Sequence, residues 1–169
     1  MARHTLLGAI AATRFGLGAR PGEIADATPD PQGWLLAQLD PGQAPAPDRA
    51  PGAAERLAAS HAADRFEADA GAGGAFRSAL AHAELADRTR LGAATAAPFR
   101  ERWTLFWLNH FALQATGRTE MLSGAFAREA IEPHLFGRFE DLLVAALQHP
   151  AMLIALDQAE SVGPDSPLG

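Results

Sequence analysis

The chain has no cysteine among its 169 residues, which excludes disulfide bridges, thiolate zinc sites and cysteine nucleophiles. Any metal would need histidine, carboxylate or carbonyl ligands. Lysine is absent too, so every basic residue is an arginine. No segment reaches the roughly 20 apolar residues that a membrane span needs. Nothing alternates as a strand, and no stretch repeats. A net charge of −6, with arginines dispersed among acids, lacks the basic stripe of a nucleic-acid binder. No nucleic-acid partner is expected.

What is present fits a soluble globular chain, with 48% hydrophobic and 20% charged residues. Its length suits one domain with a real core. The opening "MARHTLLGAIAA" sets a basic residue before an apolar run, as a secretory signal does. The run is short, contains Gly8 and leads into "TRFGLGARPGE" without a clear cleavage region. It reads as a first helix with a short apolar stripe of Leu6, Leu7, Ile10 and Ala11. A cytoplasmic location is expected, with export left open.

Almost every segment that follows reads as helix. In "DPQGWLLAQLD", Asp30 suits an N-cap and Pro31 the first helical position. Repeated prolines make 40–52 a linker, since they forbid a helical ladder. Two alanine-rich amphipathic helices come next, split by "GAGG". Pro98 then opens the densest stretch, "RERWTLFWLNHFAL", predicted as a helix over 98–116 ended by Gly117. A 3.6-residue period places Trp103, Phe106, Trp107, His110 and Gln114 near one face, which predicts the most buried element of the chain. Glu132–Pro133 breaks the next helix. In "GRFEDLLVAALQH", Phe139, Leu142, Leu143, Ala146 and Leu147 are expected to face the core. The fold class is all-α, an irregular multi-helix bundle forming a single helical domain or fragment over 1–169.

From Arg100 onward, "RERWTLFWLNHF", "FAREAIEPHLFGRFEDLLVAALQHPAMLIALD" and "SVGP" resemble a bacterial family known as domain of unknown function 1800. Near the start, "RFGLGARPGE" is similar to the opening segment of that family. The resemblance implies a predominantly helical protein without an assigned activity. It also implies that members continue, after a loop like "SVGP", into an Asn-Glu-Asn segment and a helix rich in Arg, Glu and His. The expectation is therefore an incomplete N-terminal part of a larger helical domain, from a fragment or a truncated gene product. A sulfatase-like protein encoded nearby is the partner that the resemblance implies.

The candidate site residues are His110, Asn109, Glu129, His134 and Asp157. An imidazole binds metals or exchanges protons near neutrality, yet a lone helical histidine is more often a core residue tied by hydrogen bonds. His110 is accordingly expected to be enclosed and paired with Glu129, Asp141, Asp157 or a backbone carbonyl. Asn109 reads as a tie to a loop carbonyl. Glu129 and His134 bracket Pro133 at a spacing that is not a recognised ligand pattern, so Arg128 and Glu129 are expected to pair with neighbouring helices and His134 to tie a loop. His149, before Pro150 at a helix C-terminus, reads as a cap of that helix's free carbonyls, and Asp157 as a support of the following loop. The glycines of "RFGLGARPG" lack the preceding strand and following lysine of a phosphate loop, and no serine has an elbow motif. The residues name no cofactor. The reading is a scaffold or interaction module. The alternative is part of a metal-dependent or acid/base enzyme completed by downstream residues, because helix bundles do build carboxylate–histidine sites.

Overall fold

The structure, a computed structural model, describes residues 2–40, 42, 50–66, 72–114, 116–163 and 166. Among these residues every regular element is helical, as the all-α reading expects. In chain order they are α1 (Ala2–Ile10), α2 (Glu23–Ala27), α3 (Pro31–Ala37), α4 (Ala53–Phe66), α5 (Ala72–Ala94), α6 (Pro98–Phe111), α7 (Ser123–Phe126), α8 (Phe139–Gln148) and α9 (Pro150–Ala155). Most of the expected 40–52 linker lies outside the described residues. The chain divides into two compact units, Met1–Arg49 with Asp87–Trp107, and Ala50–Ala86 with Leu108–Gly169.

In the first unit, α1 packs through its small residues. Gly8, Ala11 and Ala12 are buried, and a Cβ on Gly8 would lie 2.6 Å from Thr28 Oγ1 and 2.9 Å from Thr28 Cα. Only glycine permits that approach of α1 to the end of α2. Asp30 caps α3 by accepting the Gly33 N–H at 2.9 Å, with Pro31 at the first helical position. Buried Gln38 then joins two elements. Its amide donates to Trp34 O at 3.1 Å, and its oxygen accepts the Phe99 N–H at 2.8 Å, one of the orphan donors at the start of α6.

The second unit holds the largest enclosed side chains, Phe126, Met121, Leu122, Ile131 and Leu142. Most come from one run, in which the turn Glu120–Leu122, α7 and the π-helical turn Ala127–Ile131 follow without a break. This run, and not α6, is the deepest part of the chain. Ala125, Ala127 and Ala130 are buried beside its larger apolar residues, so neighbouring elements approach that face closely.

Helix α6 departs from expectation in two ways. Its buried residues are Pro98, Arg100, Glu101 and Thr104, whereas Trp103 and Trp107 are only half-buried and Phe106 is 47% exposed. The aromatic rings shelter one another. Trp103 stacks on Phe106 at 4.8 Å, and Trp107 meets both edge-on at 5.8 and 5.1 Å. Such ring pairs gain contact energy beyond the area they bury. The helix also ends at Phe111 and not near Thr116, because Ala112 adopts a left-handed φ of 46° while its N–H bonds Leu108 O at 3.2 Å. A side chain there is strained, so Ala112→Gly is expected to stabilise the chain by about 0.5–1 kcal/mol. Chemical denaturation checks this, and a loss of stability would contradict it.

Candidate functional site

The most connected polar cluster lies in the second unit and begins with two consecutive residues of the π-helical turn, Arg128 and Glu129. A π turn spreads neighbouring side chains by adding a residue to the helical repeat. Glu129 reaches the start of α4, where its Oε1 accepts the Ala53 N–H at 3.0 Å. A carboxylate there satisfies an orphan donor and meets the positive end of the helix dipole. Its other oxygen, Oε2, lies 3.0 Å from His149 Nε2.

His149 is 5% exposed and stands at the N-cap of α9, where Nδ1 accepts the Ala151 N–H at 3.1 Å. An Nδ1 that accepts carries no proton, so the neutral ring holds its hydrogen on Nε2 and donates it to Glu129. The ring also meets Phe126 edge-on at 5.2 Å. Both nitrogens are thus occupied, and no lone pair is left for a metal or a substrate proton. The sequence reading of His149 as a cap holds in kind but not in sense. Its side chain serves the helix after it, as an acceptor, while its backbone N–H donates to Ala146 O of the helix before it at 3.3 Å.

Burial is the leading effect on His149 and lowers its pKa below the ordinary 6.5, although the hydrogen bond and charge of Glu129 pull upward. The unfolded chain therefore takes up a proton at a higher pH than the folded one. The contribution of this ring to stability is complete above 6.5 and is lost as pH falls through the depressed folded-state value. Unfolding free energy should decline as pH falls through and below 6.5, with a component that His149→Asn removes, because asparagine caps α9 without titrating there. An unchanged slope in H149N would reject this role.

Arg128 turns the other way, to Glu84 on α5, with Nη1–Oε2 at 3.0 Å and Nη2–Oε1 at 3.2 Å. Arg56 on α4 pairs with the same carboxylate through Nη2. The rest of its guanidinium donates to Pro51 O at 2.8 Å and Met121 O at 3.2 Å. Arg56 and Glu84 are 4% and 8% exposed. Gly124 makes room for the pair, since a Cβ on it would overlap the Glu84 carboxylate. Two guanidiniums and one carboxylate thereby join α4, α5 and the π turn through charge-assisted hydrogen bonds.

Of the five candidate site residues, only Glu129 enters this cluster, where it meets His149, the residue read as a cap. Asn109 and His110 are exposed near the end of α6, so the expected enclosure of His110 does not form; its ring meets Phe111 edge-on at 5.5 Å. His134 is half-buried in the turn Glu132–His134. Asp157 is exposed with a left-handed φ of 54°, and its carbonyl, not its carboxylate, accepts the Glu160 N–H at 3.2 Å. Among the described residues, no group of three or more histidines and carboxylates could hold a metal ion. His110, Glu129, His134 and Asp157 are therefore not gathered into one such group. Arg56 and Glu84 went unrecognised because each sits among acids and arginines at helical spacing, the pattern of a solvated face. No local signal separates them from their exposed neighbours.

No helix of the described residues is long and apolar enough to cross a membrane. No curated protein and no solved structure matches the chain. A sequence model of the family described as "Protein of unknown function (DUF1800)" matches residues 10–166. Those residues include α2 to α9, the Glu129–His149 pair and the Arg56–Glu84–Arg128 cluster, and the chain belongs to the DUF1800 family.

Proposed function

We propose that this chain is a helical interaction module. The observation that carries the reading is the set of half-exposed large apolar side chains on and just after the last two helices. Phe139, Val144 and Leu147 on α8 are 53%, 48% and 44% exposed, and Leu153 on α9 and Leu156 after it are 38% and 52% exposed. A single exposed leucine is ordinary, but several on adjoining helices suit a surface that another molecule covers. The neighbouring polar cluster supports the same reading, because its donors and acceptors are spent on holding the second unit together.

The partner proposed is a sulfatase-like protein encoded nearby, as the sequence resemblance implies. Calorimetric titration of the purified chain with that protein tests the proposal. Saturable binding is expected, and Val144→Asp/Leu147→Asp should weaken it by at least about tenfold, the effect of removing central apolar anchors. The variant should unfold at the wild-type temperature, since both positions are exposed. Absence of binding, or equal binding by the variant, would reject this surface as the docking site.

A further inference from the structure

The charges of the chain are distributed unevenly. Residues 1–22 hold Arg3, Arg14 and Arg20 and no acid, whereas 139–169 hold Glu140, Asp141, Asp157, Glu160 and Asp165 and no arginine. Each of these segments contributes a helix with an exposed apolar face.

Helix α1 turns its small residues inward and its large ones outward. Gly8, Ala11 and Ala12 are buried, while Leu6, Leu7 and Ile10 are 60%, 40% and 36% exposed. Arg3 lies four residues before Leu7, and Arg14 follows Ile10 by the same interval in the π-helical turn Ala11–Phe15. Both arginines and His4 are exposed. The outer face is thus leucine and isoleucine between two cations.

Helix α8 presents the opposite combination. Phe139, Leu143 and Leu147 form one row with Val144 beside it, and Glu140 precedes Val144 by one turn. Glu140 and Asp141 are exposed. The Arg138–Glu140 pair, at 2.8 Å with side chains 78% and 72% exposed, is a surface contact of little worth that does not close off the carboxylate.

We infer that the α1 face of one copy docks on the α8 face of a second copy. The inference rests on the interaction-module reading and names a second occupant for the α8 surface. Charge decides between the possible pairings. Two α1 faces would oppose arginines, and two α8 faces would oppose carboxylates. Only the cross pairing matches apolar surface with apolar surface and cation with anion. The contact is head-to-tail, so each copy carries one donor face and one acceptor face.

The test follows from that asymmetry. Light scattering of the full chain at low salt should show mass rising with concentration, and added salt should reduce it. Leu7→Asp/Ile10→Asp and Val144→Asp/Leu147→Asp should each stay monomeric alone. Mixed, they should form a one-to-one pair, because one retains the α8 face and the other the α1 face. Arg3→Glu/Arg14→Glu keeps every apolar side chain and should weaken association by about tenfold or more, a result readable even if the aspartate variants unfold. A wild-type chain that stays monomeric, an L7D/I10D variant that self-associates like wild type, or folded variants that do not pair on mixing would overturn the inference. If the wild-type chain is monomeric yet binds the sulfatase-like protein through Val144 and Leu147, only self-docking fails and the interaction-module reading stands.

Discussion

Glu84→Ala is expected to destabilise the chain by about 3–5 kcal/mol, the usual result of removing one partner from a buried ion pair. The size comes from what remains. Arg56, 4% exposed, would keep its guanidinium out of water with two backbone carbonyls but no counter-charge. Arg128, with a side chain 22% exposed, could turn toward solvent and recover part of its hydration. Glu84→Gln should cost less, because the amide keeps its shape and can accept from one arginine. Urea unfolding followed by circular dichroism measures both variants. Adding Arg56→Ala to E84A should cost much less than Arg56→Ala alone, since the charge that lost its partner is then gone. A loss below about 1 kcal/mol for E84A would mean that the pair behaves like a surface ion pair.

His149→Ala should cost about 2–4 kcal/mol, combining a lost buried side chain with lost hydrogen bonds. Three contacts go together: the acceptor for the Ala151 N–H, the donor to Glu129 and the ring against Phe126. His149→Asn should recover the first of these, because asparagine is a favoured N-cap. Amide hydrogen exchange separates the contributions. The Ala151 amide should exchange faster in H149A and remain protected in H149N. Equal protection in both variants would mean that the imidazole does not cap α9. This capping loss is independent of the pH slope, which H149N should flatten while preserving most of the stability.

Helix boundaries were the most legible feature of the chain. Asp30–Pro31, Pro98 and Pro150 each open a helix where their backbone chemistry requires. Such signals act over three or four residues and need no tertiary context. The missed end of α6 belongs to the same local scale. Gly117 is the evident stop in the sequence and does take a positive φ of 56°, but Ala112 turns the chain first. An alanine announces no such turn.

That Glu129 pairs with neighbouring helices is legible in the sequence, but which partners it takes is not. In the fold it bonds His149, twenty residues later, and Ala53, seventy-six earlier. The spread of the Arg56–Glu84–Arg128 cluster is comparable, with its arginines 28 and 44 residues from the carboxylate. Pairings over such separations depend on how helices pack, and side-chain spacing along one helix carries no information about them.

Helical character, the starts of most helices and the side chains that share a face can be read along the chain, because capping chemistry and the 3.6-residue period are local properties. Which of those faces are covered depends on how the helices pack. Leu142 and Ala146 are enclosed, while Phe139 and Leu147 on the same predicted stripe remain in water. Leu6, Leu7 and Ile10 point outward because Gly8, Ala11 and Ala12 allow a closer approach on the other side of α1. Hydrophobicity favours burial of any apolar face, but burial needs a partner surface of matching shape, and that is supplied by elements distant in the chain.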